Sequence, residues 1–134
     1  MKVIEFYHQS RPVFSFEFFL PKTKESKEAF EQTLRDVKSL KPHFVTLTYG
    51  AGGSARDQTV EMAGALKNGY GFETALHLTC IIHTKQEIDQ IVAQVKALGI
   101  ENIMALRGDP PKEGPILPRV KRDFKNAGDL VAHL

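Results

Sequence analysis

An arginine, a glycine and a carboxylate in succession, Arg107-Gly108-Asp109, close the apolar run Ile103-Met104-Ala105-Leu106 and precede Pro110-Pro111. This is the pattern of a buried strand whose last residues emerge at a polar site. Strands alternate sides, so Ala105, Arg107 and Asp109 are expected on one face, Met104 and Leu106 on the other. A cation and an anion sharing a strand end can orient a charged ligand, or can simply close the strand as an ion pair. Glu17 stands among Phe16, Phe18 and Phe19, where burial would disfavour the ionised carboxylate. A carboxyl group kept neutral near pH 7 is what a general acid requires. The structural alternative is a glutamate paired with an inward base such as Arg107. His77, Thr46 and Thr48 carry less weight singly, since a satisfied core histidine and β-branched strand formers read the same way.

Gly50-Ala51-Gly52-Gly53-Ser54-Ala55 satisfies a relaxed G-x-G-x-x-A dinucleotide fingerprint. That fingerprint needs an acid at the end of the following strand. The available one, Glu73, begins the strand instead. The glycines are therefore read as a tight turn that lets a ligand approach the backbone at a helix N-terminus.

Four strand-helix units would position these residues. After an approach segment ending at Pro12, Val13 to Phe19 reads as a strand and Lys24 to Leu40 as an amphipathic helix. Phe44 to Tyr49 is the second strand. Its helix is capped by Ser54, with Asp57 three residues on, and ends at Asn68-Gly69. Thr74 to Cys80 is the third strand. Its helix opens with the capping-box pair Thr84 and Glu87 and closes at Gly99. The Arg107 strand is the fourth. Residues 110 to 126 hold four of the seven prolines and are expected to form an exposed loop, with a further helix beginning near Asp129.

Strand centres recur at about thirty residues, the length of one βαβ step. Each strand pairs an apolar face with a polar one richer toward its C-terminal end. Strands buried on both sides would be near-continuously apolar; one-sided polarity suits a (β/α)8 barrel of TIM type, with its site at the C-terminal rim. A full barrel has eight units in about 250 residues. These 134 residues are expected to form a single domain, 1–134, holding the first four units. The reading favours a fragment over the pairing of two copies.

The formal charge of +2 with mixed signs does not indicate a nucleic-acid surface. Arg119, Lys121, Arg122 and Lys125 cluster in the proline-rich loop and read as solvated. No apolar run approaches the roughly 18 residues of a membrane span, and no metal is expected. The single cysteine, Cys80, allows no internal disulfide, reads as a small apolar strand residue, and suits the cytosol.

Taken together, Phe14-Ser15-Phe16-Glu17-Phe18-Phe19, Thr46-Leu47-Thr48-Tyr49-Gly50-Ala51-Gly52-Gly53-Ser54, His77-Leu78-Thr79-Cys80 and Asn102 through Pro111 resemble the methylenetetrahydrofolate reductase family in order and spacing. Phe124, Ala127 and Asp129-Leu130-Val131 resemble its next signature. The resemblance implies a flavoprotein that holds FAD at the rim and uses NADH or NADPH to reduce 5,10-methylenetetrahydrofolate to 5-methyltetrahydrofolate, as a cytoplasmic homo-oligomer in its full-length form. It implies Glu17 as the catalytic acid. It places Thr48, Tyr49, Ala51, His77, Arg107, Gly108, Asp109 and Ala127 around the flavin, with Glu17, Thr48 and Asp109 also facing substrate. Two positions depart from the pattern: Leu20 where a proline is usual, and Asn126 where a tyrosine is usual. The alternative function is a noncatalytic half-barrel that pairs with another chain.

Overall fold

The computed structural model describes residues 1–49, 56–110 and 122–134. A 3-10 segment, Val3–His8, leads into four strands: β1 Ser15–Phe18, β2 Phe44–Leu47, β3 Thr74–Thr79 and β4 Asn102–Leu106. They form one parallel sheet in the order β1-β2-β3-β4. Between and after them come the helices α1 Lys24–Ser39, α2 Arg56–Gly64, α3 Lys85–Ala97 and α4 Ala127–His133. The strands are shorter than the apolar runs suggest: β2 stops at Leu47 and β3 at Thr79, although Thr48 N and Cys80 N still bond to the neighbouring strands' ends.

Helices α1, α3 and α4 begin where their sequences satisfy free backbone donors. Thr84 accepts from Glu87 N, and the Glu87 carboxylate accepts from Thr84 N at 2.7 Å, the reciprocal capping box expected of the pair. Thr23 and Ser26 make a second box at α1. At the far end of α3, Gly99 takes φ +73, Ile100 N donates to Val95 O, and Gly99 N donates to Lys96 O. Those two bonds are a Schellman closure, for which glycine has no side-chain penalty. The helical segment after β2 ends at Gly69 as expected, but at Gly64 α2 passes into a π-helical turn, Ala65–Gly69. At Gly64 an added Cβ would lie 3.0 Å from the Leu98 side chain, so the end of α2 packs closely on the residue that caps α3.

Residues at matched register in a parallel sheet share a face. Val45 and Leu47 of β2 and Leu76 and Leu78 of β3 are wholly buried. They cluster with Leu34 and Val37 of α1, Val60 and Ala63 of α2, and Ile88, Ile91 and Val95 of α3. The helices thus cover one side of the sheet, as a barrel's outer wall does. The other face carries Glu17, Thr46, Ala75, His77 and Met104, none of which joins that cluster among the described residues. At its N-terminal end this face meets the 3-10 segment: Val3 N donates to Asn102 Oδ1, and the Phe6 ring stacks on Phe44.

Two expectations are corrected. The register His77↔Met104 and Leu78↔Ala105 puts Met104 and Leu106 on the open face and Ala105 on the helix face. Alternation in β4 is therefore the reverse of the barrel expectation, which had Ala105 facing inward. The second correction is Phe124, which lies in a stretch expected to be an exposed loop but is only 1% exposed. It packs edge-on against His133, and neighbouring Asp123 accepts from Lys85 N at 2.9 Å. The chain before α4 is thereby pinned to the start of α3.

Candidate functional site

The sequence-predicted residues gather at the C-terminal ends of the strands, and the register decides which of them meet. Glu17 of β1 pairs in register with Thr46, which pairs with Ala75; His77 lies two residues further along β3. Glu17 Oε2 reaches His77 Nε2 at 3.5 Å across β2. The basic partner of Glu17 is thus His77, not Arg107, which stands two strands beyond β2. Glu17 is also not buried. Half of its side chain is exposed, so the desolvation expected from its three phenylalanine neighbours is not met: Phe18 turns into the core, while Phe19 is 68% exposed.

His77 is the buried member of the pair. Its side chain is 8% exposed, and burial holds its pKa below the usual histidine value despite the opposing pull of Glu17. It is therefore neutral near pH 7. Among the described residues its Nε2 makes no hydrogen bond, since the 3.5 Å contact to Glu17 is ion-pair rather than hydrogen-bond geometry. A bare Nε2 could accept from a protonated Glu17, and an Nε2–H could donate to the carboxylate.

Thr48 N donates to Phe18 O at 3.0 Å, extending the β1–β2 ladder one step and setting Thr48 on the Glu17 side. Tyr49 behaves otherwise. Its ring belongs to the core cluster and its hydroxyl lies 2.9 Å from His83 Nε2, so only its main chain can line the rim. Burial pushes the phenol up to about 12, which keeps it protonated. Ala51 and the rest of the turn from Gly50 to Ala55 lie outside the described residues.

Arg107 and Asp109 are exposed beyond β4, and among the described residues the Arg107 Nε donates to the neighbouring Gly108 carbonyl. Gly108 itself has φ +81, and an added Cβ would sit 2.8 Å from Thr79 Cβ. The positive φ ends the strand's alternation, which turns the segment after Leu106 across the end of β3. Arg107 O accepts from Cys80 N and Ile81 N, so the two βα connections are tied. Burial raises the pKa of Cys80, which therefore stays a thiol; its Sγ lies 3.5 Å from Asn126 O. That contact brings Ala127, the first residue of α4, beside the rim. Asn126 caps α4 by accepting from Asp129 N, which gives a local reason for an asparagine at this departure.

Glu73 lies at the opposite end of the sheet, ion-paired with Lys67 at 2.7 Å and accepting from Asn102 Nδ2. It cannot serve the glycine turn as a ribose-binding acid. Sequence reasoning missed His83. Its signal was present: it directly precedes the Thr84 cap and stands four residues before Glu87, which it faces at 3.8 Å.

Among the described residues no cluster of three or more histidine, cysteine or acidic side chains could hold a metal, and no helix is long and apolar enough to cross a membrane. Among the described residues the Arg107 side chain bonds only to Gly108 and His77 Nε2 has no hydrogen-bond partner, so a donor-rich cation and a buried polar atom are both available to an anionic, acceptor-bearing ligand at the rim.

Comparison with known proteins identifies the family. The family model described as methylenetetrahydrofolate reductase matches residues 2–134. "Methylenetetrahydrofolate reductase (NADH) 1" of Zea mays is 39% identical over 133 residues, which is 99% of this chain and 22% of the relative. "5,10-Methylenetetrahydrofolate reductase" of Pectobacterium carotovorum is 42% identical over 79% of this chain and 36% of its own length. The enzyme of that name from Escherichia coli is 44% identical over 75% of this chain and 34% of its own. The chain spans between about a fifth and about a third of the relatives it matches.

Proposed function

Because the chain belongs to the methylenetetrahydrofolate reductase family, we propose that the protein carrying it reduces 5,10-methylenetetrahydrofolate to 5-methyltetrahydrofolate with FAD and NADH or NADPH. The observation that carries this reading is the Glu17–His77 pair at the open rim, 3.5 Å apart, one member solvent-accessible and the other buried and neutral. Bound FAD would supply hydride transfer, with Arg107, His77, Gly108, Ala127 and the main chain of Tyr49 and Ala51 holding it.

The chain's own residues supply acid and charge. Glu17, half exposed on the open face, delivers a proton to the bridging nitrogen of the folate ring, which opens the ring. His77 stands where it can hold or return that proton. Asp109, exposed at the rim, lies where a carboxylate stabilises positive charge developing on the substrate. Thr48 faces the same opening and contacts the nicotinamide donor. We place this chemistry in a cytosolic homo-oligomer.

A half-barrel rim encloses a ligand on one side only, so FAD binds the 134-residue chain alone far more weakly than a complete barrel. Equilibrium dialysis of the chain and of the complete protein measures both affinities; tight stoichiometric FAD on the chain alone would refute the requirement. NAD(P)H oxidation dependent on methylenetetrahydrofolate tests the activity. A complete protein that binds FAD but shows none of that oxidation would overturn it. Exposed Phe19 and Met104, 68% and 44% accessible, favour a second reading in which the open face only pairs with other barrel strands. That reading predicts assembly without turnover.

A further inference from the structure

His83 takes no part in the rim chemistry, yet it is 8% exposed and joins two connections that do. Its Nε2 lies 2.9 Å from the Tyr49 hydroxyl, with the two rings edge-to-face at 5.7 Å. Its Nδ1 faces Glu87 Oε2 at 3.8 Å. Tyr49 directly follows Thr48 at the end of β2; Glu87 is in the first turn of α3.

The chemistry assigns the protons. Glu87 accepts from Thr84 N and Thr84 Oγ1, and these bonds hold its carboxyl below the usual range, so it is an ionised acceptor. An ionised carboxylate 3.8 Å away favours hydrogen on the nitrogen that faces it. Burial depresses the His83 pKa, so the ring is neutral near pH 7 and its other nitrogen is bare. The Tyr49 hydroxyl then donates. The other charged groups acting on the pair are Arg56, which disfavours a cation at His83, and Asp57, which acts on Tyr49.

We propose that His83 is a positioning residue: as the Nδ1–H tautomer it accepts from Tyr49 and faces Glu87, fastening the end of β2, with Thr48, to the start of α3. Its consequence for the cofactor rests on the function proposed above; the hydrogen-bond assignment does not.

The test uses the complete protein with 15N-labelled histidine. NMR of the ring nitrogens should show His83, identified by its loss in His83→Gln, with Nδ1 protonated and Nε2 bare. In unfolding measurements Tyr49→Phe and His83→Phe should each lower the folding equilibrium about tenfold, and together much less than a hundredfold, because they remove the same bond. His83→Phe should weaken FAD binding about fivefold to tenfold, with His83→Gln, which restores an acceptor, within about twofold of the native protein. An Nε2–H or cationic His83 at pH 7, or strictly additive effects, would overturn the proposal. If native protein bound no FAD, the proposed function would fail, while the tautomer and the coupling would still decide this one. Should His83→Phe not fold, the tautomer and its response to Tyr49→Phe decide it.

Discussion

Substituting Gly108 by alanine separates two penalties that are usually confounded. Gly108 has φ +81, and a Cβ there would lie 2.8 Å from Thr79 Cβ, 3.0 Å from Thr79 Cγ2 and 3.3 Å from Ile81 Cγ2. Carbon atoms prefer about 3.5–4.0 Å, so the closest contact is short by roughly 0.7 Å. Thr79 Cβ cannot swing away, because Thr79 is held in β3 opposite Leu106. A left-handed L-residue costs about 1–2 kcal/mol, and overpacking of this kind about 1–3 kcal/mol. Gly108→Ala should therefore destabilise by about 2–5 kcal/mol. Gly71 supplies the control, since its φ is +73 and nothing lies within 4 Å of its would-be Cβ. Gly71→Ala should show only the backbone share, about 1–2 kcal/mol. Denaturant unfolding of both variants gives the difference directly. If Gly108→Ala proved no worse than Gly71→Ala, the close approach of the fourth connection to β3 would be wrong, and with it the seating of Arg107 and Asp109.

Lys41 has φ 51 without being glycine, at the end of α1, so Lys41→Gly should stabilise by about 0.5–1 kcal/mol, measured by the same unfolding assay. Buried His77 has a folded pKa below its unfolded value near 6.5, so the unfolded chain binds more protons as pH falls past that value and stability drops. Its contribution is fully present above about pH 6.5 and lost below it. His77→Gln should flatten the fall in unfolding free energy as pH drops below about 6.5, and an unchanged slope would contradict the burial of His77.

The architecture was readable because each unit announces its own boundaries. Thr84, Glu87 and Gly99 fix α3 through bonds that are local in sequence, and the strand spacing of about thirty residues is what a parallel neighbour needs. What failed was non-local. Whether Ala105 or Met104 faces the helices depends on register against β3, and no pattern in β4 alone sets that. The burial of Glu17 was inferred from its aromatic neighbours, but Phe16 and Phe18 pack toward the core on the opposite face while Phe19 is exposed, and exposure depends on what stands beyond an edge strand. Phe124 hid in a proline-rich stretch because one aromatic residue has no period to reveal it. Most of the site followed from strand ends, whereas the Glu17–His77 contact crosses an intervening strand and needed three-dimensional placement. The turn from Gly50 to Ala55 and residues 111 to 121 lie outside the described residues, so Ala51 rests on the resemblance alone.

The proposed role of Glu17 is tested most directly by Glu17→Gln in the complete, FAD-loaded protein, following flavin absorbance in stopped flow through each half-reaction. Glutamine keeps the size and some hydrogen bonding but has no proton to deliver. Transfer from NAD(P)H to FAD needs no such proton and should stay within about tenfold of the native rate, whereas reduction of methylenetetrahydrofolate should be abolished. Folate reduction at near-native rate in Glu17→Gln would contradict the assignment and leave Glu17 as a surface partner of His77.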